Sequence, residues 1–122
     1  MFEIYVRQIF SAAHLLRGYV GKCARVHGHN YAVEVTLQSE KLNEIGLVVD
    51  FVEVKEKMKL VIEHLDHYHL NDIPPFDVRN PSAENLALYF YEQLKDGWPD
   101  GVRLAMVRIC ETETAGAIYR PQ

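Results

Sequence analysis

The chain has 122 residues, 48% of them apolar and 25% charged, which suits one globular domain with a full core and excludes a disordered or fibrous polymer. A formal net charge of -4 excludes a general nucleic-acid binder, which needs a basic face to displace counterions from phosphates. It does not exclude a small anionic ligand, because the field inside a cleft follows the charges nearby more than the total.

The opening residues alternate: Phe2, Ile4 and Val6 on one side, Glu3, Tyr5 and Arg7 on the other, the period-2 pattern of a first strand. Charge at alternate positions leaves no apolar run of signal-peptide length, so no export signal is expected. A loop with Gly18 and Gly21 follows. Tyr31, Val33, Val35 and Leu37 then alternate with Ala32, Glu34, Thr36 and Gln38, which predicts a half-buried second strand antiparallel to the first. Asp50 and Glu53 form a D-x-x-E capping box, and Val54, Met58, Val61, Ile62 and Leu65 recur at helical spacing, predicting a helix from about Phe51 to Leu65. Pro74, Pro75 and Pro81 make residues 71–81 an ordered loop. Ser82 caps a second helix whose buried face is Ala83, Leu86, Ala87, Phe90 and Leu94, closed by Asp96-Gly97 and Pro99. Val102 to Thr112 is rich in strand formers, and Ala117 to Tyr119 returns beside it after Gly116. The order ββααββ predicts an α+β fold, a four-stranded antiparallel sheet with both helices on one face, in a single domain over 1–122. Its open edges invite copies to join edge to edge. No stretch is long and apolar enough to span a bilayer. Only Cys23 and Cys110 are available, which argues for free thiols and a cytoplasmic setting over a disulfide framework.

Six histidines carry most of the chemistry. His27-Gly28-His29 puts two imidazoles at i and i+2, on one face of a strand. His14 reaches the same place if the first two strands pair, giving three nitrogen ligands for a tetrahedral Zn²⁺ with the fourth position open, the pattern of a Lewis-acid site. The plain alternative is a set of turn and core histidines. Cys23 near such a metal has its thiolate favoured and becomes a candidate base, or else a fourth ligand that closes the site. Asp66-His67 follows the first helix, where a neighbouring carboxylate and the helix C-terminus both favour an imidazolium able to deliver a proton; a solvated helix end is the alternative. His64 and His69 have no reading beyond that alternative. Glu111, in the last long strand beside Thr112, offers a carboxylate that can take paired hydrogen bonds from the guanidine-like edge of a heterocycle.

Together, His14, Cys23-x-x-x-His27-Gly28-His29-Asn30-Tyr31, Leu65-Asp66-His67-Tyr68-His69-Leu70-Asn71 and Glu111-Thr112 resemble the 6-pyruvoyltetrahydropterin synthase and 6-carboxytetrahydropterin synthase family over nearly the whole chain. The resemblance implies the tunnelling fold, with two barrel-forming trimers stacked into a homo-hexamer and active sites between subunits. It implies that His14, His27 and His29 bind Zn²⁺, that Cys23 is the base, that Asp66 and His67 complete a proton relay, and that Glu111, with Thr112 as a further contact, holds the pterin. The partners it implies are a small pterin and further copies of the chain, with no nucleic acid and no membrane. Three residues between the cysteine and H-G-H resemble the carboxytetrahydropterin branch, on the queuosine route to 7-deazaguanine. The pyruvoyl branch carries more. A folate-synthesis branch with glutamate in the cysteine's region fits less well.

Overall fold

A computed structural model describes all residues, 1–122. Strand β1 (Phe2–His14) pairs with β2 (His27–Ser39), β2 with β3 (Arg103–Cys110), and β3 with β4 (Gly116–Tyr119), every pairing antiparallel and in chain order. Helices α1 (Phe51–Ile62) and α2 (Ala83–Leu94) fall between β2 and β3, so the ββααββ order is realised as an uninterrupted sheet with its helices inserted midway.

The helices start where the capping chemistry places them. The Asp50 carboxylate accepts from the Val52 N–H at 2.9 Å, and the Ser82 hydroxyl from the Asn85 N–H at 3.1 Å, each meeting a donor the first turn leaves unpaired. Val54, Met58, Val61 and Ile62 of α1 and Leu86, Ala87, Phe90 and Leu94 of α2 are buried against Val6, Phe10, Tyr31, Val33, Val35, Leu37, Val107 and Ile109 of the sheet. These side chains belong to one core cluster. Phe10 and Tyr31, directly opposed across β1 and β2, stack with ring centroids 5.1 Å apart and anchor the sheet beneath the histidines.

Three boundaries differ from the sequence reading. β1 runs to His14 instead of fading after Arg7, because its ladder with β2 continues through Ser11↔Asn30, Ala12↔His29 and His14↔His27. The first helix ends at Ile62; Leu65 stays buried but sits in the turns that follow, with its N–H on the Ile62 carbonyl. β3 ends at Cys110, so Glu111 and Thr112 lie outside the strand, in a turn where both N–H groups donate to the Ala115 carbonyl.

Candidate metal centre

The register of β1 on β2 builds the site. His14 lies opposite His27, and His29 follows two residues along, so the pleat turns all three rings to the same side. Their centroids are 4.5 Å (His14–His27), 5.1 Å (His14–His29) and 4.8 Å (His27–His29) apart, and one nitrogen from each falls within 4.8 Å of the others.

Hydrogen bonding fixes which nitrogens face inward as lone pairs. His14 Nδ1 lies 2.7 Å from the Pro81 carbonyl oxygen and His27 Nδ1 2.7 Å from that of Arg25. A carbonyl only accepts, so both Nδ1 atoms carry the proton, and in the neutral rings Nε2 holds a lone pair. Those two Nε2 atoms nevertheless sit 2.9 Å apart, while His29 Nε2 is buried with no hydrogen-bond partner. Lone pairs at that separation repel unless a cation lies among them, so the donor set fits a borderline metal ion such as Zn²⁺. Burial lowers the pKa of both His14 and His29 from 6.5, with the Glu111 carboxylate opposing the shift, and so favours the unprotonated form a metal needs. The buried Tyr31 hydroxyl, 3.0 Å from His14 Nδ1, is a second neighbour that holds this ring; desolvation raises its pKa and keeps it a phenol.

Glu111 joins the cluster from the turn after β3. Its Oε1 lies 3.3 Å from His14 Nε2 and 3.7 Å from His29 Nε2. Thr112, next in the chain, is turned to local use: its hydroxyl accepts from the Thr114 N–H at 3.3 Å and faces the Thr114 hydroxyl.

Asp66 and His67 are set against β1. After α1 the chain folds back beside the strand, with the His67 N–H on the Ser11 carbonyl and the Ala13 N–H on that of Tyr68. The Asp66 carboxylate accepts from the Ser11 N–H at 2.9 Å, which together with His67 lowers its pKa, and Asp66 Oδ1 lies 3.0 Å from His67 Nδ1. His67 has a left-handed backbone, φ 65°, a region histidine enters more readily than β-branched residues do, and its ring is 81% exposed. It lines a groove with Ser11, Gly28, His29 and Asn30, so its ring opens onto the same strand ends as the three clustered histidines.

Cys23 sits in a single 3₁₀ turn, Lys22–Ala24, its carbonyl accepting from the Leu16 N–H at 2.8 Å. Within one chain, no hydrogen bond or ion pair ties it to the histidines. Cys110 is also a free thiol.

Two asparagines given no role from sequence hold this corner together. The Asn71 side chain accepts from the Leu15 N–H at 2.9 Å and donates to the Leu15 carbonyl at 3.1 Å. Asn80 does the same for Arg17, at 2.9 Å each way, and the Arg17 guanidinium donates to the Phe76 carbonyl at 2.8 Å. Each amide imitates a strand partner for the chain leaving β1. The Leu70-Asn71 pair was visible in sequence, but its partner lies 56 residues away.

Residues 3–122 match the family model described as 6-pyruvoyl tetrahydropterin synthase. The chain is 37% identical, over 98% of its own length and 93% of that protein's, to one named 6-carboxy-5,6,7,8-tetrahydropterin synthase from Synechocystis. It is 34% identical, over 93% of its length and 92% of that protein's, to one named 6-pyruvoyl tetrahydrobiopterin synthase from Dictyostelium discoideum. Among solved structures, that of the Caenorhabditis elegans 6-pyruvoyl tetrahydropterin synthase matches with a TM-score of 0.89 at 31% identity, covering 99% of this chain and 96% of that one.

Proposed function

This chain belongs to the 6-pyruvoyl tetrahydropterin synthase family, and on that premise we propose that it is a zinc-dependent 6-carboxytetrahydropterin synthase. The reaction takes 7,8-dihydroneopterin triphosphate and one water to 6-carboxy-5,6,7,8-tetrahydropterin, acetaldehyde and triphosphate, a lyase step in the queuosine route, in the cytoplasm. The observation that carries the reading is the convergence of three imidazole nitrogens on a fold of this family, two of them left as lone pairs by their Nδ1 partners and the third buried without a hydrogen-bond partner. The choice of product is supported by the three residues between Cys23 and His27 and by the Synechocystis relative.

His14, His27 and His29 would hold the zinc, which supplies Lewis acidity to the oxygens of the substrate side chain and so acidifies the neighbouring C–H bonds. Cys23, as thiolate, removes a proton from that carbon chain. His67, oriented through Nδ1 by Asp66, returns or relays the proton at Nε2, so acid and base are separate groups. Glu111 receives the guanidine-like N–H edge of the pterin through paired, charge-assisted hydrogen bonds, with Thr112 beside it. The exposure of His67 and the lack of any hydrogen bond between Cys23 and the histidines both support a site completed by a second copy, in a hexamer built from two trimers.

The test is mass-spectrometric product analysis after anaerobic incubation of the zinc-loaded protein with 7,8-dihydroneopterin triphosphate. Carboxytetrahydropterin with acetaldehyde is expected, and Cys23→Ala should keep zinc and fold while losing about a hundredfold or more in turnover, the scale of a positioned base. Pyruvoyltetrahydropterin would move the chain to the branch of the Dictyostelium relative. No conversion of any pterin with zinc still bound would mean a non-catalytic pterin-binding assembly.

A further inference from the structure

The Glu111 carboxylate is closer to the metal site than a purely pterin-facing role requires. Its Oε1 stands 3.3 Å from His14 Nε2 and 3.7 Å from His29 Nε2. Because the His14 proton is held at Nδ1 by the Pro81 carbonyl, Nε2 in the neutral ring has none to give, and the Glu111–His14 approach is acceptor to acceptor. His29 Nε2 likewise finds no hydrogen-bond partner. A cation among these atoms turns the repulsion into ligation. A tetrahedral zinc with donors at about 2.0–2.1 Å spaces those donors about 3.3–3.4 Å apart. The Glu111–His14 separation is that spacing, and the Glu111–His29 separation is within a few tenths of an ångström of it.

Glu111 is also free to leave. It lies beyond the end of β3, held through its backbone N–H on the Ala115 carbonyl, and its side chain is 30% exposed. We propose that Glu111 is a switchable fourth ligand: in the enzyme without pterin it closes the coordination of the metal, and it transfers to the guanidine-like edge of the pterin when that arrives, opening the position a substrate oxygen needs. One carboxylate cannot serve both partners fully, so pterin binding and opening of the metal become a single event. The inference rests on the pterin and zinc readings above, and adds an order of events to them.

X-ray absorption on the zinc-loaded, full-length wild-type protein without pterin should show three imidazoles and one carboxylate oxygen. Cobalt(II) titration, followed through its visible absorption, should show Glu111→Gln binding the metal about tenfold or more weakly than wild type, with an altered spectrum and an unchanged far-ultraviolet circular dichroism. A pterin lacking the phosphorylated side chain should shift the wild-type cobalt spectrum toward that of E111Q and leave the E111Q spectrum in place. Equal affinity and identical spectra for the two proteins, or a sulfur scatterer in place of the oxygen, would overturn the proposal while leaving the zinc reading intact. A wild-type spectrum indifferent to the pterin would overturn the transfer. Wild-type protein that binds neither zinc nor cobalt would overturn the zinc reading itself.

Discussion

His14 shows how much chemistry one buried residue takes from distant backbone. It is fully buried, its Nδ1 proton is placed by Pro81, 67 residues on, and its second neighbour is Tyr31. The H-x-H spacing made His27 and His29 readable as a pair, and strand pairing made His14 their natural third. The carbonyls that fix the tautomers were not legible, because no side-chain pattern marks a backbone oxygen. Burial also gives these histidines a pH signature. Desolvation lowers the pKa of His14 and His29 below the 6.5 of the unfolded chain, so between those values the unfolded state binds more protons and stability rises with pH. The metal-free protein should therefore be at full stability above about pH 6.5 and lose it as the pH falls below that value. Asp66, also lowered from its ordinary 3.8, adds a further loss as the pH drops through and below that range. Thermal unfolding of the metal-free protein from pH 7.5 to 3.5 checks this; a melting temperature unchanged down to pH 5 would mean that the imidazoles titrate as if in water.

The helices were the most legible elements, since cap and apolar stripe agree on where each begins, although the stripe carried the first helix on to Leu65 when it ends at Ile62. The strand ends were less so, and that mattered for the site. Beyond Arg7, β1 carries Ser11, Ala12 and Ala13, weak strand formers held extended by the β2 ladder on one edge and the Asp66–Tyr68 segment on the other. Reading Glu111 as a strand residue missed the turn that aims it at His14. That turn depends on Gly116, which pairs with Cys110; a β-carbon there would run into the Ile109 carbonyl oxygen and the Cys110 backbone. Gly116→Ala should cost about 1–3 kcal/mol through overpacking and should also weaken metal binding by displacing Glu111. Urea unfolding and cobalt titration of the variant measure both, and an effect on stability with full metal affinity would separate the hairpin from the site.

At the scale of the molecule, a four-stranded sheet ends in two edges. The outer edge of β1 is covered only near Ser11–Ala13, leaving its first half open, and Tyr5 (68% exposed) and Ile9 (67%) stand on the sheet face away from the helices. Long open edges beside apolar side chains are disfavoured in a lone chain and are satisfied by strand pairing between copies. The layer architecture was legible because alternation and helical stripes are local. Edge pairing was visible only as an unmet need. Sedimentation velocity should give a species of six chains, with three as the intermediate on dilution. A stable single chain with full turnover would show that one copy builds the whole site.

The stitching of Leu16 to the Cys23 carbonyl bears on how such a site drifts through evolution. The Cys23 backbone is tethered from the β1 side, by Leu16 and, just beyond, by the Asn71 and Asn80 amides on Leu15 and Arg17. The stretch from Ala24 to Val26 is held as well: the Ala24 and Arg25 N–H groups donate to the Gly21 and Lys22 carbonyls, and the Arg25 carbonyl accepts from His27 Nδ1. An insertion there adds closure entropy only slowly, but it must rebuild the Arg25 carbonyl contact that places the His27 proton. The length of the cysteine-to-histidine interval is therefore coupled to the tautomer of a site histidine as well as to the position of the thiol.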